Sequence, residues 1–262
     1  MRGIDPNLSF FQHMMKFPRY FGYFIKSFFV FEKPLSVIFH YLRIKPYRGQ
    51  TIGLRNGLRI CLSDNPLDAS TVFVIFVKED YGKIVRAGIV IDIGANIGVF
   101  SLYVAQSGVE KIYAYEPNRS AYNVLLRNIS VNGLEKTIIP RRLAVSGCDR
   151  ETVKIPLGSS PYNKIMRGNT SEVFEEVSTV TLDTIISENN LDSVDLVKID
   201  CEGAEYEIIP GLSESVFSRL KEIRMEFHDG PLNELISAFD RHNFVTTRFD
   251  RDSAMLWVTK AK

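Results

Sequence analysis

The sequence predicts an α/β protein: a three-layer arrangement in which a seven-stranded, mostly parallel sheet with one antiparallel strand is covered by helices. Three observations lead there. The first is the stretch Gly88–Tyr103. Ile89, Val90, Ile91 and Ile93 form a β-branched run broken only by Asp92, then Gly94 and Gly98 bracket a short polar segment, then apolar residues crowd together up to Ser107-Gly108. Such a run suits a parallel strand buried on both faces, and the segment after it reads as a buried helix. The second is the alternation of strand-like and helix-like segments from there onward. The third is the ending, where Phe244–Arg248 and Ala254–Val258 follow one another as a strand pair with no helix between them.

The elements follow in order. Residues 1–50 form an aromatic and basic extension expected to be helical. They hold eight basic residues against Asp5 and Glu32, a net of +6, which leaves −5 for the rest of a chain whose formal charge is +1. The apolar residues there are interrupted by Lys26, Glu32, Lys33 and Pro34, and no small-residue cleavage site follows, so a signal peptide fits poorly. Aromatic plus basic helices mark either a cap on a larger domain or a surface that touches membrane. Residues 51–86 read as a connecting segment: a hairpin around Asn56-Gly57, then a partly helical run from Asp64 to Tyr81 ending near Gly82.

Residues 87–262 form the main domain. Lys111–Tyr115 is its second strand, stopped at Pro117. Asn118 or Ser120 caps a helix that runs through Val131 to Asn132-Gly133. Ile138–Val145 is the third strand. Residues 146–180 break the rhythm: Val153–Ile155 and Val177–Thr181 read as two antiparallel strands joined by a polar connection that overhangs the site. Thr181–Glu188 is a short helix, Val194–Ile199 the fourth strand, Leu212–Leu220 a helix, Glu222–Phe227 the fifth strand. Leu232–Arg241 is a helix with Leu232, Leu235, Ile236 and Phe239 inward.

A strand, a glycine turn and a helix place bare backbone N–H groups beside a ligand at the carboxyl end of a sheet. The spacing excludes two ligand classes. A dinucleotide fingerprint would need glycines where Asn96 and Val99 stand, and a phosphate loop would need a Gly-Lys-Ser/Thr ending, which is absent. What stands is Asp92-x-Gly94-x-Asn96-x-Gly98, with Glu116 at the tip of the next strand.

That arrangement, together with Tyr115-Glu116-Pro117, Thr181-Leu182-Asp183, Lys198-Ile199-Asp200-Cys201-Glu202-Gly203-Ala204-Glu205 and Glu226-Phe227-His228, resembles the FkbM-type methyltransferase family over roughly residues 70–230. Asn96 stands where class I methyltransferases usually have glycine, a residue the FkbM-like form tolerates; Asn accepts left-handed geometry better than most. The resemblance implies a Rossmann-like class I fold and S-adenosylmethionine as cofactor. It implies cofactor contacts from Asp92, Gly94, Ala95, Asn96, Gly98, Glu116, Pro117 and Asn118, with Glu116 on the ribose hydroxyls and Ala144 beside the adenine. Asp92 is open to a second reading, that it only pins the turn, and Asn118 to another, that it only caps its helix.

Asp200, Glu202 and His228 are the candidates for the chemistry. An oxygen nucleophile needs its proton removed, and carboxylates or a neutral imidazole at strand ends can do this. Asp200, Glu202, Glu226 and His228 are also ligand types for a divalent cation, although no metal is expected. Glu205 and Lys198 read as structural. The expected acceptor, by resemblance, is a hydroxyl of a sugar, glycolipid or related small molecule. No nucleic acid partner is expected from a near-neutral chain. Two other readings stay open: a methyltransferase acting on RNA or protein, and a non-catalytic binding module recruited through residues 1–50. Cys61, Cys148 and Cys201 are scattered and odd in number, which points to a reducing, cytoplasmic compartment, with membrane association through residues 1–50 as an addition.

Overall fold

The computed structural model describes residues 10–85, 87–156 and 174–261, with side chains from Tyr20 onward. The chain divides into two compact units, Met1–Lys83 and Ile84–Lys262. No helix among the described residues is long and apolar enough to cross a membrane.

The first unit contains helices α1 (Phe10–Val30) and α2 (Pro34–Tyr41), strands β1 (Thr51–Gly53) and β2 (Arg59–Cys61), and helix α3 (Asp68–Phe73), which continues as a π-helical turn over Val74–Lys78. β1 and β2 are the expected antiparallel hairpin. Its turn works because Gly57 takes φ +94° and the Asn56 side chain accepts from Leu58 N at 3.2 Å. The hairpin is bound to the end of α1. Arg55 donates its backbone N–H to Val30 O (2.9 Å) and its Nε to Phe28 O (2.7 Å), satisfying carbonyls that a helix end leaves open. Residues 51–83 fall in the same compact unit as α1 and α2.

The second unit runs β3 (Ile89–Ile93), α4 (Val99–Ala105), β4 (Lys111–Tyr115), α5 (Arg119–Val131), β5 (Ile138–Arg141), β6 (Ala144–Val145), β7 (Thr152–Pro156), β8 (Phe174–Val180), α6 (Leu182–Glu188), β9 (Leu196–Ile199), α7 (Glu205–Ile208), α8 (Glu214–Arg219), β10 (Glu222–Glu226), α9 (Leu232–Arg241), β11 (Phe244–Asp250) and β12 (Met255–Lys260). Seven strands form one sheet in the order β11-β12-β10-β9-β3-β4-β5. Only β12 runs against the others, pairing antiparallel with both β10 and β11. This is the expected class I topology.

Both faces of the sheet are covered. Ile91 and Ile93 join one buried cluster with residues of α6, α8 and α9, including Leu182, Phe217 and Phe239. Asp92, alternating to the other face, meets α4 through Ser101. One face therefore carries α6, α8 and α9, the other α4.

The segment Ile138–Val145 is the one strand the structure breaks. β5 stops at Arg141, and Ala144–Val145 leaves to pair with β8 in a three-stranded side sheet, β6-β8-β7. Ala144 is then packed with Val153, Ile155 and Val177 in a small core of its own. β7 and β8 are the expected antiparallel pair; the connection between them, residues 157–173, lies outside the described residues.

Candidate functional site

The register of the sheet lays out the site. The last paired rows join Ile93 to Tyr115, Ile93 to Ile199, and Met225 to Ile199. One residue beyond them, Glu116, Gly94, Asp200 and Glu226 stand side by side across the carboxyl ends of four adjacent parallel strands. Ligands of open α/β sheets bind at such ends.

The glycine turn is built by close approach. Gly94 has φ +72°, and a Cβ there would collide with the carbonyl oxygen of Asp200. Gly98 has φ +86° at the start of α4, where a Cβ would strike the Leu125 side chain. Asn96 between them takes φ +50°, the left-handed geometry that Asn tolerates. Tyr115 O accepts from both Gly94 N (3.0 Å) and Ala95 N (2.9 Å), which fastens the turn to the neighbouring strand tip.

Glu116 completes that junction. Its Oε2 accepts from Asn96 N at 2.7 Å and its Oε1 from Asn118 N at 2.8 Å. Burial pushes its carboxyl up to about 7, against the pull of the two amides. Each oxygen keeps lone-pair capacity beyond its one amide, which a pair of hydroxyls can fill. Asn118 uses its own side chain to cap α5, Oδ1 accepting from Ala121 N at 3.0 Å. Arg119 and Arg142 beside this tip both reach Glu175 of β8, at 3.3 and 3.0 Å, tying the side sheet to it.

Asp92 has no exposed surface to offer a ligand. It is 0% exposed, with Oδ2 accepting from Ser101 Oγ at 2.7 Å and Oδ1 lying 3.2 Å from Lys198 Nζ. Lys198 in turn donates to Gly94 O (2.7 Å) and Ile93 O (3.2 Å) and lies 3.7 Å from Asp200 Oδ2. Burial works against its charge, but Asp92 and Asp200 outweigh that and hold the ammonium protonated. Asp92 is thus held in a buried ion pair with Lys198, which in turn donates to the Gly94 carbonyl. Ala144 likewise sits in the side-sheet core. Gly94, Ala95, Asn96, Gly98, Glu116, Pro117 and Asn118 are brought together at the junction of β3 and β4.

The second half of the site centres on His228. Its Nδ1 lies 3.0 Å from Glu205 Oε1 and its Nε2 lies 3.3 Å from Glu202 Oε2. Glu205 Oε1 also accepts from His228 N (2.8 Å), while its Oε2 accepts from Gly203 N (2.8 Å). Tyr206 donates its hydroxyl to His228 O at 2.6 Å. Burial opposes a charged ring, but Glu205 and then Glu202 prevail and raise His228 to about 9. A ring held there favours its protonated form at neutral pH, and would have to lose that proton to accept one from a substrate or to ligate a cation. Asp200, Glu202 and His228 do converge, with one ligand atom from each within 4.8 Å of the others, a set that can hold a divalent cation.

Glu226 is the member of the row that the sequence offered only as a cation ligand type and not as a base. Burial first, and then the charge of Asp200 beside it, push its carboxyl up. The signal was available: an acid at the tip of strand five, two residues before a histidine.

The family described as the Methyltransferase FkbM domain matches residues 92–246, more than half of the chain. AMB antimetabolite synthetase AmbE of Pseudomonas aeruginosa is 26% identical over 217 residues, covering 65% of this chain and 10% of that protein. The 31-O-demethyl-FK506 methyltransferase FkbM of Streptomyces tacrolimicus is 26% identical over 232 residues, covering 74% of this chain and 88% of that protein. Hexuronic acid methyltransferase AglP of Haloferax volcanii is 25% identical over 141 residues, covering 53% of this chain and 55% of that protein. The chain thus spans a tenth of the synthetase and about half of the hexuronic acid enzyme.

Proposed function

The chain belongs to the FkbM methyltransferase family, and from that premise we propose that it transfers the methyl group of S-adenosylmethionine to an oxygen, a hydroxyl of a sugar, glycolipid or related small molecule. The observation that carries this reading is Glu116, a buried carboxylate suspended between Asn96 N and Asn118 N at the tip of β4. Two hydroxyls on neighbouring carbons, as in a ribose, match its two oxygens, and hydrogen bonds to a carboxylate are the strong kind. The turn Gly94–Gly98 supplies the close backbone surface next to it. A sulfonium is a cation, and the strand ends beyond the turn carry Asp200, Glu202 and Glu226.

Transfer from a sulfonium is an in-line displacement with a good leaving group, so alignment is the main task of the protein. Bound at the turn and Glu116, the donor would supply an electrophilic methyl group to the acceptor oxygen, with S-adenosylhomocysteine as the leaving group and a methyl ether as the product. The hydroxyl proton goes to a carboxylate of the row. Glu226 suits this role, because a base raised toward neutrality accepts a proton more readily. Glu202, whose carboxylate lies 3.3 Å from His228 Nε2, serves to orient the hydroxyl together with Asp200. His228 itself is a fixed positive charge held by Glu205. The names of two relatives support the acceptor class: one specifies an oxygen, the other a hexuronic acid.

The test is incubation of the full chain with donor carrying an isotopically labelled methyl group, against hexuronic acids, neutral sugars and glycolipids. Labelled methyl ether on a sugar oxygen supports the reading. Label found on RNA or protein and on none of these acceptors overturns it.

A further inference from the structure

We propose that the first unit docks on the surface of an anionic lipid bilayer through the outer face of α1 and the basic segment that follows α2. The starting observation is an anomaly of burial. Tyr20, Phe21, Phe24, Ile25, Phe28 and Phe29 are all exposed, Phe21 by 56% and Phe29 by 76%. At about 100° per residue these six positions fall on one half of the helix circumference, so over Tyr20–Val30 the exposed half is lined by aromatic and aliphatic side chains. The opposite half does the holding. Lys26 pairs with Glu79 at 2.9 Å, and Ser27, wholly buried, donates to Tyr23 O at 2.7 Å. A water-soluble helix is ordinarily arranged the other way, with its apolar stripe inward.

The apolar exposure continues past α1. Leu35 and Phe39 on α2, and Ile44 just after it at 66%, are exposed as well. Among them stand Lys33, Arg43, Lys45 and Arg48, all exposed, while Glu32 is paired with Arg59 at 3.1 Å. An apolar aromatic face with a basic rim is the composition of helices that lie in the lipid interface, with aromatics at the acyl boundary and cations among headgroups. Charge decides between occupants. Residues 1–50 carry a net +6, so a second copy of this face would bring like charge to like charge, whereas an anionic bilayer brings the complement. The docking is independent of what the second unit methylates, and it is read without any turnover.

The experiment is flotation of the full chain with vesicles of phosphatidylcholine alone and with about a third phosphatidylserine, at low and at high salt. The chain is expected to float with the anionic vesicles, to bind the neutral ones weakly, and to be released by salt. A variant with Phe24→Ser, Phe29→Ser and Ile44→Ser should bind on the order of a hundredfold more weakly. A variant with Lys45→Ala and Arg48→Ala should bind roughly tenfold more weakly or worse. Both change exposed side chains, so both should melt with the unaltered chain and bind S-adenosylmethionine equally well. Absence of vesicle binding, or binding that neither variant weakens, overturns the proposal. So does a stable dimer in sedimentation that the Phe24, Phe29 and Ile44 variant converts to monomer, since the face would then belong to a second copy.

Discussion

Glu205, 0% exposed, holds the Nδ1 of His228 at 3.0 Å, and through it favours the charged form of a ring whose other nitrogen lies 3.3 Å from Glu202 Oε2. A histidine that gains such a partner is raised above its ordinary value, here to about 9. Its stability contribution is therefore fully present below the unfolded value near 6.5 and is lost as pH rises through about 9. Glu205 is shifted the other way, so its contribution is present above the ordinary carboxylate value and is lost as pH falls.

For Glu205→Gln we expect the His228 ring to titrate at least one unit lower, read by NMR of its imidazole protons. Unfolding free energy at neutral pH should fall by about 2–3 kcal/mol, and the fall in stability between about pH 7 and 9 should shrink. A ring that still titrates near 9 would remove Glu205 from this role.

Gly94→Ala should abolish donor binding and cost more than about 2 kcal/mol of stability, because it adds a methyl group against the Asp200 carbonyl at a positive φ. Gly108→Ala is the control. Gly108 has a similar φ of +73°, but a Cβ there meets nothing within 4 Å, so it should cost about 1 kcal/mol and leave binding intact. Thermal melts and donor titration of the two variants check this.

Lys198→Met leaves the buried carboxylate of Asp92 without its counter-charge and frees the carbonyls of Ile93 and Gly94. We expect a loss of about 3–5 kcal/mol in chemical unfolding. Adding Asp92→Asn should recover part of that loss, since it removes the stranded charge. Equal or greater destabilisation in the double variant would mean the pair is not the tether between β3 and β9.

Glu226→Gln tests the proton acceptor. Turnover should fall at least about a hundredfold while donor affinity stays within about threefold, because Glu226 is assigned to the acceptor proton and not to the cofactor. Unchanged turnover would pass the role to Asp200 or Glu202.

What was legible in the chain was what a recognisable pattern carries. Asp92 to Gly98 and Glu116 are joined by a turn, helix α4 and the next strand, and the strand–glycine turn–helix–strand pattern already implied a junction of the two tips. The His228–Glu205 contact is of similar separation, 23 residues, but no such pattern links its two ends, so the sequence offered His228 as a neutral base with no sign of the carboxylate behind it. Arg119 and Glu175 meet across 56 residues, which no local pattern encodes. The split of Ile138–Val145 was hidden for a different reason. Apolar residues continue on both sides of Arg141-Arg142, and only pairing with a strand from the insertion shows that the chain has changed sheets.

The central claim is that Glu116 and the Gly94–Gly98 turn grip the donor, and calorimetric titration of the full chain with S-adenosylmethionine at several pH values tests it most directly. Hydroxyls that donate to Glu116 favour its ionised form, so affinity should rise as pH climbs through about 7, where burial has placed that group. In Glu116→Gln this rise should flatten, and in Glu116→Ala affinity should fall on the order of a hundredfold. No saturable binding, or binding that neither substitution alters, would contradict the account.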